Sequence, residues 1–347
     1  ELELFVNAEE KHWGPNYLNF SFVMEDDFSS DTHIQLGSAF TMTNLSNLGA
    51  EWRNEIAIGT DKYFNSELYW PIFTAQTYIS SAVQHDSKKL TIKDQSGLSL
   101  GEFKRSENSF GVNFGWNLND QFQVETGWSN NLGSYELPSI FSNIIEEDEV
   151  NFNRSGPQLS LLWDSLNSNS FPTNGFQFKA KWNWYDEEFL GAKFNSESRS
   201  LFGVGAWQLK EHIVKMNWEY DTFDSGGDGT VLEQYSLGGL FRLSGYPKNY
   251  LFGSSTRLTT ATYMYRLHEN KMSIFNSPLY IGASLERGKV TNSLWQTNDK
   301  SQDWIWAGSI FLGWDSIIGP IYLAYGQAES VYLERARQFY LSLGQTF

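Results

Sequence analysis

The stretch SFGVNFGWNL, Ser109–Leu118, decides the fold. Phe110, Val112, Phe114, Trp116 and Leu118 fall on one parity, and Gly111, Asn113, Gly115 and Asn117 on the other. Such alternation is a strand with one apolar and one polar face. The pattern recurs on both sides of this stretch. In Gly175–Tyr185, Phe176, Phe178, Ala180, Trp182 and Trp184 oppose Gln177, Lys179, Lys181, Asn183 and Tyr185. Val214, Met216, Trp218 and Tyr220 oppose Lys215, Asn217 and Glu219. In Tyr17–Glu25, Leu18, Phe20, Phe22 and Met24 oppose Asn19, Ser21 and Glu25, with Val23 an exception on the polar side.

Three features favour a membrane barrel over a soluble sandwich. The runs are about 9–12 residues long, where a tilted spanning strand needs ~9–11 and soluble strands average ~5–6. Their apolar faces often end in Trp or Tyr, as interfacial girdles do. Short connections (Asn119-Asp120, Leu209-Lys210) alternate with long acidic ones (Asp26–Asp31, Asn131–Pro157, Asp186–Phe194, Asp221–Leu237). Short turns on one rim and long loops on the other is the outer-membrane arrangement.

Composition agrees. Fourteen Trp, 17 Tyr and 26 Phe make 16% of the 347 residues, yet the mean hydropathy is polar at −0.43. No apolar run is long enough for a transmembrane helix. A net charge of −16, from 41 acids and 25 bases, argues against a nucleic-acid partner. Cysteine is absent, which excludes a disulfide framework, a thiolate nucleophile and a thiolate metal site. The chain opens at Glu1 without Met or a signal peptide and reads as a processed form or a fragment.

These patterns predict an all-β fold, a sixteen-stranded antiparallel transmembrane β-barrel over residues 16–347. Strands are expected near 17–25, 32–44, 50–60, 63–72, 75–95, 98–118, 121–130, 157–165, 174–186, 195–208, 211–221, 254–267, 277–288, 303–314, 319–327 and 336–347. The hairpin around Gln95-Ser96-Gly97 is expected to project beyond the bilayer. Residues 1–15 read as the tail of an upstream periplasmic linker. The even count places both termini on the periplasmic side of a bacterial outer membrane.

The stretch LGGLFRLSGYPKNYLFG, Leu237–Gly253, falls in the sixth long loop. Its glycines, Gly238, Gly239 and Gly245 among them, let a backbone pass close to wall strands. An arginine, Arg242, can fork onto an inward carboxylate. On the thirteenth expected strand Glu286 faces inward with Tyr280, Gly282, Ser284 and Gly288, while Leu279, Ile281, Ala283 and Leu285 face lipid. Arg242 is expected to reach Glu286 first, with Glu219 as another acid in range.

LGGLFRLSGY and GASLERGKV (Gly282–Val290), with IIGPIYLAYG and the closing FYLSLGQTF, resemble the outer-membrane assembly and two-partner-secretion transporter superfamily. In that superfamily this loop carries an Arg-Gly-Phe/Tyr tripeptide and folds into the barrel, facing a strand with an aromatic-x-Asp-x-Gly pattern. Here Gly245 and Tyr246 hold the last two loop positions and Glu286 and Gly288 the acid and glycine of the strand. Ser244 stands at the arginine and Ser284 at the aromatic. Within the superfamily the chain is most similar to the C-terminal translocator barrel of patatin-like autotransporters, the lipase-fused branch of type V secretion. WGPNYLNFSF, NLGAEWRNEIAIG, DSLNSNSFPTNG, GGLFRLSGY and SPLYIGASLERG carry that likeness along the whole chain. It implies a barrel that anchors or exports an N-terminal phospholipase through polypeptide-transport domains. Its partners would be outer-membrane lipid and lipopolysaccharide, the barrel assembly machinery and a passenger polypeptide. Phe339, Leu341, Leu343 and Phe347 resemble the C-terminal insertion signal of such barrels, although Gln345 interrupts the apolar face.

No catalytic motif, cofactor or metal is implied for this chain. It has no Gly-x-Ser-x-Gly elbow. His12, His33, His85, His212 and His268 lie in separate elements without metal spacing. His85-Asp86 reads as a solvated pair and Glu146–Glu149 as a solvated acidic run. Asp224–Thr230 is faintly similar to a calcium loop but lacks its closing Glu. Two other functions stand beside it: an insertase for other barrels, which would share nearly all these motifs, and a passive porin, which does not call for this loop and strand pairing.

Overall fold

The computed structural model describes residues 16–347 apart from 29–31, 75, 94–98, 142–146, 170, 227–231, 268–276, 292–302, 317–318, 330–334 and 345–347. Glu146, His12, His268, Phe347, residues 227–230 and the expected linker 1–15 lie outside the described residues.

In chain order the strands are β1 (Asn16–Asp26), β2 (His33–Met42), β3 (Glu51–Gly59), β4 (Lys62–Pro71), β5 (Thr77–Lys93), β6 (Ser99–Asn117), β7 (Phe122–Glu136), β8 (Glu149–Asp164) and β9 (Gly175–Phe189). There follow β10 (Ala192–Leu209), β11 (His212–Ser225), β12 (Tyr235–Leu237), β13 (Leu251–Gly253), β14 (Ser255–Leu267), β15 (Leu279–Thr291), β16 (Ile305–Ser316), β17 (Gly319–Glu329) and β18 (Ala336–Gly344). Sixteen of them close into one antiparallel barrel, and β12 pairs only with β13 as a small ribbon inside the loop between β11 and β14. Each expected strand finds its counterpart.

Side-chain alternation sets the two faces of this wall. Phe114 is 47% exposed and Phe20 76%, and Phe110, Trp116, Ile281 and Leu285 also point outward. The inward neighbours are polar and bonded to one another, as Asn113 is to Ser80 and Gln158. A continuous exposed apolar belt is the surface of a protein whose outer solvent is lipid.

The expected loops Asn131–Pro157 and Asp186–Phe194 are corrected by the structure. Most of both is strand. β7 and β8 stay paired from Phe122↔Trp163 to Glu136↔Glu149, and β9 and β10 meet at a tight turn over Leu190 and Gly191, both at positive φ. The reason lies in the side chains. On these long strands, β5 and β6 included, the apolar residues near the long-loop rim face inward: Phe103, Tyr135, Val150, Phe152 and Phe189 form one buried cluster. Above the lipid the outer face no longer needs to be apolar, so the pattern that marks a spanning strand fades while the pairing continues.

Closure is uneven. β1 and β18 share four registered pairs among the described residues, Val23↔Gly344 to Asp26↔Leu341, whereas the next shortest seam, β3 with β4, has seven.

The orientation of β6 gives a direct check. Phe114→Arg places a cation in hydrocarbon and should cost about 2–4 kcal/mol. Asn113→Arg enters a wet lumen and gives up polar contacts worth about 1 kcal/mol. Urea unfolding midpoints in lipid vesicles should separate the two variants, with Phe114→Arg the less stable.

Candidate functional site

The loop between β11 and β14 lies against the inner wall, and one carboxylate holds its tip. Glu286 on β15 is fully buried. Its Oε2 accepts from the backbone N–H groups of Leu243 (2.6 Å) and Ser244 (2.7 Å). Its Oε1 accepts from the hydroxyls of Ser244 (2.6 Å) and Ser284 (2.6 Å). Consecutive N–H groups aimed at one oxygen make a backbone nest for an anion. Four donors solvate the carboxylate without a cation, which is what burial of its charge requires.

The turn is shaped for this. Phe241 and Leu243 adopt positive φ (63° and 76°), as do Gly238, Gly239 and Gly245. A Cβ on Gly245 would stand 2.3 Å from the backbone nitrogen of Ala328, and one on Gly326 of β17 2.6 Å from the Cβ of Ser244. Only glycines allow that approach of loop to wall. Gly245 N–H donates to Tyr340 Oη on β18 (2.6 Å), and that hydroxyl donates to the carbonyl of Tyr246 (2.7 Å). Thr260 of β14 donates to the Phe241 carbonyl at 2.9 Å. Tyr246 is buried and stacks on Tyr250, and Gly288 leaves room for Leu243.

The expected Arg242–Glu286 fork is not present, and this is a correction. Arg242 instead pairs with Glu219 of β11 and donates to the Ser236 carbonyl at 3.0 Å. The physical cause is occupancy: both Glu286 oxygens are filled by nearer donors. Ser244 and Ser284, the two departures from the superfamily pattern, both donate to the same Glu286 oxygen. Two hydroxyls take the place of one arginine and one ring.

Beneath the tip an aromatic stack fills the turn-side half of this wall. Phe171, from the turn between β8 and β9, lies 5.0 Å from Tyr280 and 5.5 Å from Tyr322. Phe241 meets Phe311 and Tyr322 edge-on at 5.0 and 5.2 Å. The turn itself is held by Asn167, whose side chain accepts from the N–H groups of Thr173 and Asn174.

A second anchor, not foreseen in the sequence, sits across the lumen at the long-loop rim. Glu233, at the loop's entrance, accepts from Arg154 Nη1 (2.7 Å), Tyr135 Oη (2.8 Å) and Arg105 Nε (3.2 Å). The Arg154 guanidinium lies between the Phe152 and Phe223 rings at 4.4 and 4.3 Å and also holds Glu187. Leu232 and Phe252 of the loop join the buried aromatic cluster described above. Arg154 and Glu233 fell in stretches read as loops, where a charge carries no spacing signal. Burial opposes the charge of Glu233, but the two guanidiniums and the Tyr135 hydroxyl override it and hold its carboxyl down to about 2. Between the two anchors a polar chamber of about 630 Å³ remains, lined by Gln84, Asn113, Gln158, Lys181 and Asn249 among others.

A model of the Omp85 superfamily domain matches residues 17–347. The chain belongs to the Omp85 superfamily. The fold is similar to the crystal structure of BamA from Haemophilus ducreyi lacking POTRA domains 1–3 (TM-score 0.75, 14% identity, covering 97% of this chain and 71% of that one). It is also similar to CdiB from Escherichia coli (TM-score 0.58, 12% identity, covering 97% of this chain) and from Acinetobacter baumannii (TM-score 0.56, 8% identity, covering 94%). The chain spans 64% and 60% of those two CdiB chains. No curated protein matches it in sequence. This Omp85 barrel is therefore an integral outer-membrane protein. Of the expected insertion residues, Phe339 points outward at 59% exposure, while Leu341 and Leu343 continue its face along the seam with β1.

Two outcomes follow from the anchors. In double-mutant cycles read by hydrogen exchange of the loop amides, Arg242→Ala should couple to Glu219→Gln by about 0.5–1 kcal/mol, the scale of a partly exposed ion pair. It should add to Glu286→Gln within about 0.5 kcal/mol. The second outcome concerns acid. Glu233 has a folded value of about 2 against an ordinary 4.5, so its stabilisation is complete above 4.5 and is lost as pH falls toward 2. Loop protection should carry an acid-side step in that window, and Glu233→Gln should remove the step.

Proposed function

We propose that this barrel is the translocator end of a longer polypeptide and anchors or exports an N-terminal patatin-like phospholipase. One observation carries the reading. Three stretches in which the chain resembles patatin-like autotransporters meet inside the lumen. Phe171 of DSLNSNSFPTNG stacks on Tyr280 of SPLYIGASLERG, and both lie in the cluster against which Phe241 of GGLFRLSGY packs. Stretches far apart in sequence that carry the resemblance form one packed unit in this chain, which supports the reading.

The mechanism under this reading has no reaction step in the barrel. The loop lies inside the lumen, and its tip is held on the β14–β18 wall by Glu286 and Tyr340, which accept from its N–H groups, and by Thr260, which donates to the Phe241 carbonyl. The β1–β18 seam is the weakest line of pairing among the described residues. Passage or anchoring of a chain would use the chamber beside the loop, the seam, or both. Assembly into the membrane would rely on the barrel assembly machinery through the closing strand. An insertase acting on other barrels would share this architecture.

The test expresses the complete protein with an N-terminal epitope. Lipase activity and surface protease sensitivity of the N-terminal part are expected, both confined to the periplasm when β18 is truncated. An N-terminus made only of transport repeats, with other barrels depleted when the gene is silenced, would replace this reading by the insertase. A steady large conductance of the purified barrel would replace it by the porin.

A further inference from the structure

The outer wall carries a basic patch that neither the loop nor the seam accounts for. On β15 the outward positions Leu279, Ile281, Ala283 and Leu285 are apolar, over about 20 Å of strand. The next outward position, about 7 Å on toward the long-loop rim, is Arg287, followed by Lys289. Arg257, outward on β14, lies directly opposite Lys289. Like charges facing each other across a sheet are destabilising. Among the described residues none of the three cations has a carboxylate partner, in a chain of net charge −16. By contrast Arg199, also outward, is forked onto Glu197 through Nε and Nη2 at 2.6 and 2.5 Å.

Aromatic rings hold two of the cations in place. The Arg287 guanidinium lies 4.3 Å from the Trp304 ring and 5.2 Å from that of Trp306, and Arg257 lies 5.2 Å from Tyr220. Stacking uses the faces of a guanidinium and leaves its in-plane N–H donors free for a planar or tetrahedral anion. Trp at the edge of the belt marks the headgroup level. A basic cluster at that level selects an anionic headgroup.

We propose that Arg257, Arg287 and Lys289 form a binding site for a phosphorylated glycolipid of the outer leaflet. Its phosphate would lie between Arg257 and Lys289, and its acyl chains would run down the wall over Leu285 and Ile281. A phosphate bridging the opposed pair removes their repulsion, and Arg287 supplies a fork from a pre-set position. The inference is independent of the passenger and rests on the long-loop rim facing outward.

The test is native mass spectrometry of the detergent-solubilised barrel incubated with bis-phosphorylated lipid A. Arms use dephosphorylated lipid A, phosphatidylglycerol and inorganic phosphate. The wild type is expected to retain bis-phosphorylated lipid A. The triple variant Arg257→Gln, Arg287→Gln, Lys289→Gln should retain it about tenfold or more weakly, the scale of one charge-assisted hydrogen bond. Arg199→Gln should retain it as the wild type does. Heat-modifiability on gels shows that each variant is folded, and single variants replace the triple one if it is not. Equal retention by the folded triple variant overturns the site. So does equal retention of dephosphorylated lipid A, and so does phosphatidylglycerol or inorganic phosphate binding as tightly. None of these results bears on translocation.

Discussion

A sheet in hydrocarbon cannot leave an edge, because each unpaired N–H or C=O there costs several kcal/mol. The rest of this structure depends on that constraint. It forces sixteen strands into a ring, and among the described residues the joint between first and last has the fewest registered pairs. The loop reaches both strands of that joint from inside. Lys248 pairs with Glu25 near the end of β1, and Tyr340 of β18 is bonded on both sides to the loop backbone. The strength of the seam and the position of the loop are thus parts of one arrangement.

The two anchors of the loop use different physics. Glu286 is dry and solvated by neutral donors whose geometry is fixed by the turn, so its hold depends on backbone shape. Glu233 is held by two arginines, one of them clasped between rings, so its hold depends on charge. A carboxylate buried among neutral donors loses its hold when the turn changes shape. A carboxylate among cations tolerates changes of shape and responds to protons.

The spanning part of the fold was legible because lipid demands an apolar face at every second residue, as in Phe110–Leu118. It became illegible where lipid ends. Asn131–Glu136 and Glu149–Arg154 continue the same ladder, but with the apolar side turned inward and the outer side free, so their pattern resembles a loop. At the site, the inward phase of β15 follows from the same alternation, which puts Glu286 in reach of the loop. The partner was misread because arginine is the obvious mate for a buried acid. Ser244 and Ser284 together carried the signal, since both depart from the superfamily pattern and both are hydroxyls. Arg105, Arg154 and Glu233 gave no signal, because their meeting depends on three segments far apart in sequence.

The wealth of aromatic residues has one explanation in three places. A barrel this wide cannot fill its own lumen with side chains from the wall. Outside, rings meet lipid and its interface. Inside, Phe171, Phe241, Phe311 and Tyr322 fill the space between wall and loop tip. At the rim, Phe103, Tyr135, Phe152 and Phe189 close over Leu232 and Phe252 of the loop's stem. Large flat side chains bury much area for few rotatable bonds, so they order a loop at a small entropic cost. The lumen between these two clusters stays polar, and that separation leaves a chamber where a uniformly apolar filling would have left a plug.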